Sequence, residues 1–165
     1  MKWKGILLDS ASNQTDRKVK KVMSPKRIFS IFLVFALCLL VQHHAGALEL
    51  NAEGKKAYKT LKEVSYFAMG GVGIAGRTSS GEHALRVLLK QKESVAAFQA
   101  LLKQGSRESR MYALVGLKIQ DQKAFDQSIT PYLDSKANVK SMRGCIMSDR
   151  PVAEVAKEIE KGVYH

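Results

Sequence analysis

Few residues in this 165-residue chain could carry chemistry. Cys145 and His83 are the candidate nucleophile and base, because a thiol attacks as its thiolate and needs a base within hydrogen-bond reach. Used this way, they would make a small hydrolase or thiol enzyme. A single cysteine and a histidine in the first turn of a helix more often serve structure, and we expect Cys145 to be buried as a small apolar residue. A free thiol, or a bridge to a second copy, is the functional alternative. Ser79-Ser80 lacks the strand–turn–helix setting of a nucleophile elbow. Glu158 and Glu160 read as a solvated helix face. No His, Cys, Asp and Glu spacing matches a metal site, so the expected catalytic, cofactor and metal residues are none.

Gly71, Gly73 and Gly76 have the spacing G-x-G-x-x-G, which can present backbone N–H groups to a pyrophosphate at a helix start. That fingerprint needs a strand before it, a helix at once after it and a second parallel strand beyond. Here the preceding segment reads as helical and no strand-like run follows. The stretch from Gly70 to Gly81 is expected to be a loop or a close-packed Gly/Ala helix segment. Arg77, Arg86, Arg107, Arg110, Arg143 and Arg150 fall near turns and could join the glycine loop in an anion-binding module. Capping and surface solvation are the preferred reading of these arginines.

The elements that would position these residues are helical. From Ser79 to Leu133 apolar residues recur at three- and four-residue steps, cut by Ser, Gly and Asp into consecutive short helices. A first helix is expected over Asn51–Phe67, with Asn51 as N-cap and Lys55, Lys56, Lys59 and Lys62 on its wet side. Ser79-Ser-Gly-Glu82 reads as a capping box, in which Glu82 would reach back to the Ser79 amide. Ser94, Ser106 and Asp121 would cap three more helices. Met111, Leu114, Val115 and Ile119 would point inward on the second of these, and Pro131 would interrupt or end the third. Residues 139–147 could form a small β-hairpin or an irregular loop, with Pro151 opening a last helix. The expected fold class is therefore all-α: one small bundle of about six short helices over residues 48–165. Ser106–Leu133 is similar to one HEAT-type helical hairpin, although no 40-residue period recurs.

The front of the chain reads differently. Lys26-Arg27, the uncharged apolar run Ile28–Val41 and the small residues Ala45 and Ala47 make a secretory signal peptide over 23–47, with cleavage after Ala47. The apolar run is shorter than the roughly 20 residues that cross a bilayer as a helix. An uncleaved anchor is the alternative. Leu37 before Cys38 is too large for lipid attachment. Residues 1–22 read as a gene-start extension or a long charged n-region. Either way the expected location is periplasmic or secreted, with no stable membrane anchor after cleavage.

Charge follows the same division. The formal net charge is +12, but residues 48–165 hold 19 Lys plus Arg against 13 Asp plus Glu, a net +6. Tyr58, Tyr66, Tyr112, Tyr132 and Phe98 fall mostly on apolar faces rather than along a basic stripe. No nucleic-acid partner is expected. A non-enzymatic binding or structural role fits best, with a protein of the cell envelope as partner.

Gly70–Gly76 (GGVGIAG), Tyr112–Leu117 (YALVGL) and Gly144–Ile146 (GCI) together resemble an exported bacterial family with no assigned activity. The resemblance would cover most of the chain after residue 47 and implies no catalytic residues. If members of that family carry a cysteine in the Tyr112 helix, Val115 is where this chain lacks it. Cys145 would then be a disulfide partner left alone.

Overall fold

A computed structural model describes residues 48–164. The gene-start extension at 1–22 and the signal peptide at 23–47 lie outside the described residues. Among the described residues no helix is long and apolar enough to cross a membrane.

Six helices and two short β-hairpins follow in the order α1 (Ala52–Glu63), β1 (Gly71–Val72), β2 (Arg77–Thr78), α2 (Ser80–Leu89), α3 (Ser94–Gln104), α4 (Arg107–Gln120), α5 (Gln122–Leu133), β3 (Asn138–Arg143), β4 (Ile146–Pro151) and α6 (Val152–Glu160). The fold is mostly helical, so the all-α expectation needs correcting by two antiparallel hairpins. The hairpin at 138–151 extends the short one expected at 139–147. The β1–β2 hairpin replaces the expected glycine loop or helix segment.

Helix α4 is the hub. Met111 through Leu117 is an unbroken buried run, so this helix has no solvated stripe along its middle. It touches α1, α2, α3, α5, α6 and β3, which leaves water no access to that stretch. Gly116 allows the closest approach: a Cβ there would lie 2.4 Å from the Phe98 ring of α3. The helices α4 and α5 cover the segment likened to a HEAT hairpin, but α4 is surrounded by neighbours rather than layered in a stack. Ile119, expected inward, is 48% exposed because the last turn of α4 runs past the core.

Caps behave largely as their residue types dictate. Asn51, Ser79, Ser106 and Asp121 each accept a hydrogen bond from the backbone N–H three residues on, at 2.8–3.1 Å. Ser94 does not cap: it is the first residue of α3 and buried, and Glu93 precedes it without a side-chain cap bond. Pro131 sits within the last turn of α5, which continues to Leu133. Near a C-terminus the hydrogen bond that proline removes is one of few left to break.

Helix α1 stops at Glu63, short of the expected Phe67. Of the residues beyond it, Val64 is β-branched and extended, and Tyr66 and Phe67 are aromatic. Phe67 pairs alongside β3, donating to the Lys140 carbonyl (2.8 Å) and accepting from the Met142 N–H (2.9 Å). Tertiary pairing thus overrides the helical period.

Candidate functional site

The two hairpins and the C-terminal segment meet at one end of the molecule. Their placement starts from Tyr112, fully buried on α4. Its hydroxyl accepts from the Ala68 N–H and donates to the Ala68 carbonyl, both at 2.9 Å. Ser79 Oγ also donates to that carbonyl (3.0 Å). Burial pushes the Tyr112 pKa up, so the hydroxyl stays a neutral donor and acceptor. Gly81 makes room for this ring, since a Cβ there would lie 2.5 Å from the Tyr112 hydroxyl. One phenol therefore fixes the backbone just before the glycine hairpin.

Glu82 extends the clamp. Its Oε2 accepts from the Gly70 N–H (2.8 Å), and its Oε1 from Arg86 Nε and Nη2 (3.1 and 2.7 Å). It does not reach back to the Ser79 amide, so the expected capping box is only half formed. The Ser79 half is present, while the carboxylate is drawn to the glycine segment instead.

The glycine turn then folds over. Gly73 and Gly76 take φ of +70° and +59°, a left-handed region open to glycine at little cost. The Gly73 N–H donates to the Gly144 carbonyl (2.8 Å), and the Gly76 N–H to the Gly73 carbonyl (3.1 Å). With the Gly70 N–H held by Glu82, three amides of the loop are already engaged within the protein. The pyrophosphate cradle suggested by the spacing does not form, and no helix opens at Gly76. Helix α2 begins only at Ser80.

The Gly73–Gly144 bond sets two turns side by side. Ile74 projects from the first and is 100% exposed. Gly144 and Cys145 form the second, a two-residue connection with Gly144 at φ +56°. Ile146 and Met147 follow it, and Val163 lies in the C-terminal segment. All three are more than half exposed. Cys145 itself is exposed, which corrects the expectation of burial: a tight turn with no residues packed outside it cannot cover a side chain.

An ion cluster anchors the C-terminal segment against the second hairpin. Glu158 on α6 accepts from Arg150 Nη1 and Nη2 (3.0 and 2.7 Å), from Arg143 Nη2 (2.8 and 2.7 Å) and from the Tyr164 hydroxyl. Burial works to raise the Glu158 pKa, but donation from Arg150, Tyr164 and Arg143 outweighs it and holds the carboxyl at about 2. Hydrogen bonding raises both arginines in turn, from Glu158 first for Arg150 and from Tyr164 and then Glu158 for Arg143. The Tyr164 ring packs edge-on against Phe67, with centroids 5.2 Å apart. Glu158 is thus not the solvated face residue that its spacing suggests. Tyr164 carried no periodic signal at all, and only the four-residue steps from Arg150 in β4 to Glu154 and Glu158 on α6 hinted at the cluster.

A cleft of about 410 Å³ lies between these parts, lined by Met69, Glu82, Arg86, Arg143 and Tyr164 among others. A larger groove of about 460 Å³ runs between α1 and α2, over Ala57, Ala84 and Val87. It holds His83, Ser80 and Glu53, yet no hydrogen bond joins these three among the described residues. We favour the smaller cleft as the site, because buried polar groups and two guanidinium groups converge there. His83 and Cys145 are not brought together: one lines the α1–α2 groove, the other tips the β3–β4 turn. Val115 is buried inside α4, far from solvent, while Cys145 is exposed. Of the six arginines, Arg86 and Arg143 share the cleft, while Arg107 and Arg110 lie near the start of α4. Among the described residues no group of His, Cys, Asp and Glu could hold a metal ion. No family model, curated protein or solved structure matches the chain.

Proposed function

We propose that this is an exported, non-enzymatic binding or structural protein, and that the end carrying the two joined turns meets a protein partner in the cell envelope. One observation carries the reading: Ile74, Ile146, Met147 and Val163, four of the large apolar side chains left in solvent, gather at that end. Apolar residues exposed together at one end, rather than scattered singly, mark a contact surface. The Lys55, Lys56, Lys59 and Lys62 side of α1 is exposed, and the one aromatic of that helix, Tyr58, packs partly against the core, which fits a solvated face better than a nucleic-acid groove. A thiol-enzyme role for Cys145 draws less support, since among the described residues His83 lines a different groove and no base shares a cavity with Cys145. The glycine-loop anion module loses ground with its engaged amides.

The test is recovery of partners from envelope extract with the full chain and with an Ile74→Asp/Ile146→Asp variant. Both side chains touch solvent, so the variant should melt at the parent temperature. We expect it to lose the partners that the parent retains. Identical recovery by the two proteins would refute the reading. Mass spectrometry of the chain recovered outside the cytoplasm should find Leu48 as its first residue.

A further inference from the structure

The cleft beneath the joined turns holds donors that the fold leaves unused. Arg143 makes all its contacts through Nη2, so its Nη1 and Nε have no partner among the described residues. Arg86 binds Glu82 through Nε and Nη2, which leaves Nη1 unpartnered in the same sense. Both side chains are more than half exposed, at 57% and 59%, and both line the one cleft. Met69, Val163 and the Tyr164 ring supply apolar wall between them. The opposing guanidinium groups are each held by a carboxylate from beneath, Glu82 for Arg86 and Glu158 for Arg143. Their planes are therefore oriented before any ligand arrives.

We propose that this cleft binds a carboxylate group attached to a small apolar body, gripped between Arg86 and Arg143. Nη1 of each arginine can donate to one oxygen of a carboxylate, so the two arginines together can hold both oxygens. Each arginine already has a matching negative charge, so the cleft has little net charge to offer. Attraction then rests on directed hydrogen bonds, which suits a monoanion better than a phosphate dianion. The apolar wall selects for a hydrophobic neighbour beside the carboxylate. Within the contact reading above, on which this rests, the natural sources are a partner's C-terminal carboxylate or an acidic side chain next to an apolar residue.

The test uses the full chain and calorimetric titration with four probes: a tetrapeptide ending in valine with a free carboxylate, its C-terminal amide, an amidated tetrapeptide with an internal Glu-Val pair, and inorganic phosphate. The free acid should bind, and amidation should weaken it about tenfold or more, the worth of one hydrogen bond to a charged group. Binding of the Glu-Val peptide at the strength of the free acid would assign the carboxylate to a side chain instead of a terminus. Arg86→Gln strips buried Glu82 of its cation and endangers the fold. Arg143→Gln, at an exposed side chain, carries the test and should also weaken the free acid about tenfold. Equal binding of acid and amide, tighter binding of phosphate than of any carboxylate, or no binding by any carboxylate would overturn the proposal. Those outcomes leave the contact surface standing if Ile74→Asp/Ile146→Asp still loses the partner. A variant that keeps its partner sinks the contact surface whatever the cleft does.

Discussion

The helical body and the hairpin end are held by different physics. In the body, Leu61, Leu85, Leu88, Phe98, Leu101 and Leu114 pack one buried apolar core about α4. At the hairpin end few apolar side chains are covered, and shape comes from polar groups that meet one another: Tyr112 with Ala68, Glu82 with Gly70, Glu158 with Arg143, Arg150 and Tyr164. The contrast teaches that one small chain can hold two regions in shape by different means. Burial secures the body, while directional bonds freeze turns whose own apolar residues stay in water.

The comparison breaks most plainly if the body proves insensitive to cavities. Leu88→Ala, at a fully buried position, should destabilise by about 2–5 kcal/mol in denaturant unfolding. A loss under roughly 1 kcal/mol would mean that the core is looser than drawn.

Acid acts on the other region. The Glu158 pKa is depressed from the ordinary 4.5 to about 2. Its contribution is therefore complete above pH 4.5 and is lost as pH falls towards 2, a span worth at most roughly 3 kcal/mol. Unfolding measured across that window should show parent stability falling more steeply than that of Glu158→Gln. Parallel curves would remove the cluster from the account.

A smaller effect sharpens the boundary between the regions. Tyr112→Phe keeps the ring in the core but leaves the Ala68 N–H without its partner and the Ala68 carbonyl with Ser79 alone, at a cost of about 1–3 kcal/mol. Hydrogen exchange should quicken at Ala68 and Gly70 before it does along α4. Uniform quickening would show that the hub belongs to the body alone.

The body was legible in the sequence because its signals are local. Asn51, Ser79, Ser106 and Asp121 announce helix starts, and the three- and four-residue steps of Ala84, Leu85 and Leu88, or of Phe98 and Leu101, repeat within a few residues. The hairpin end was not, because its causes are long-range. Nothing near Phe67 foretells that it will pair with β3 and cut α1 short. Glu82 has the spacing of a capping-box acid and is instead captured by Gly70, twelve residues earlier. Glu158 looks like one more solvated acid until Arg143 and Tyr164, from two other segments, close on it. Cys145 was expected to be buried on residue type alone, and its place in a two-residue turn decided otherwise.

The bond from Gly73 to Gly144 joins stretches that are distant along the chain, and every helix from α2 to α5 lies between them. Bringing such ends together costs loop-closure entropy that only a formed body can offset. The hairpin end should therefore be the last part to assemble after synthesis and the first to come apart under stress. A population with intact helices but parted turns would keep most of its circular dichroism while its joined end came undone, so a helical signal alone is a poor gauge of an intact molecule.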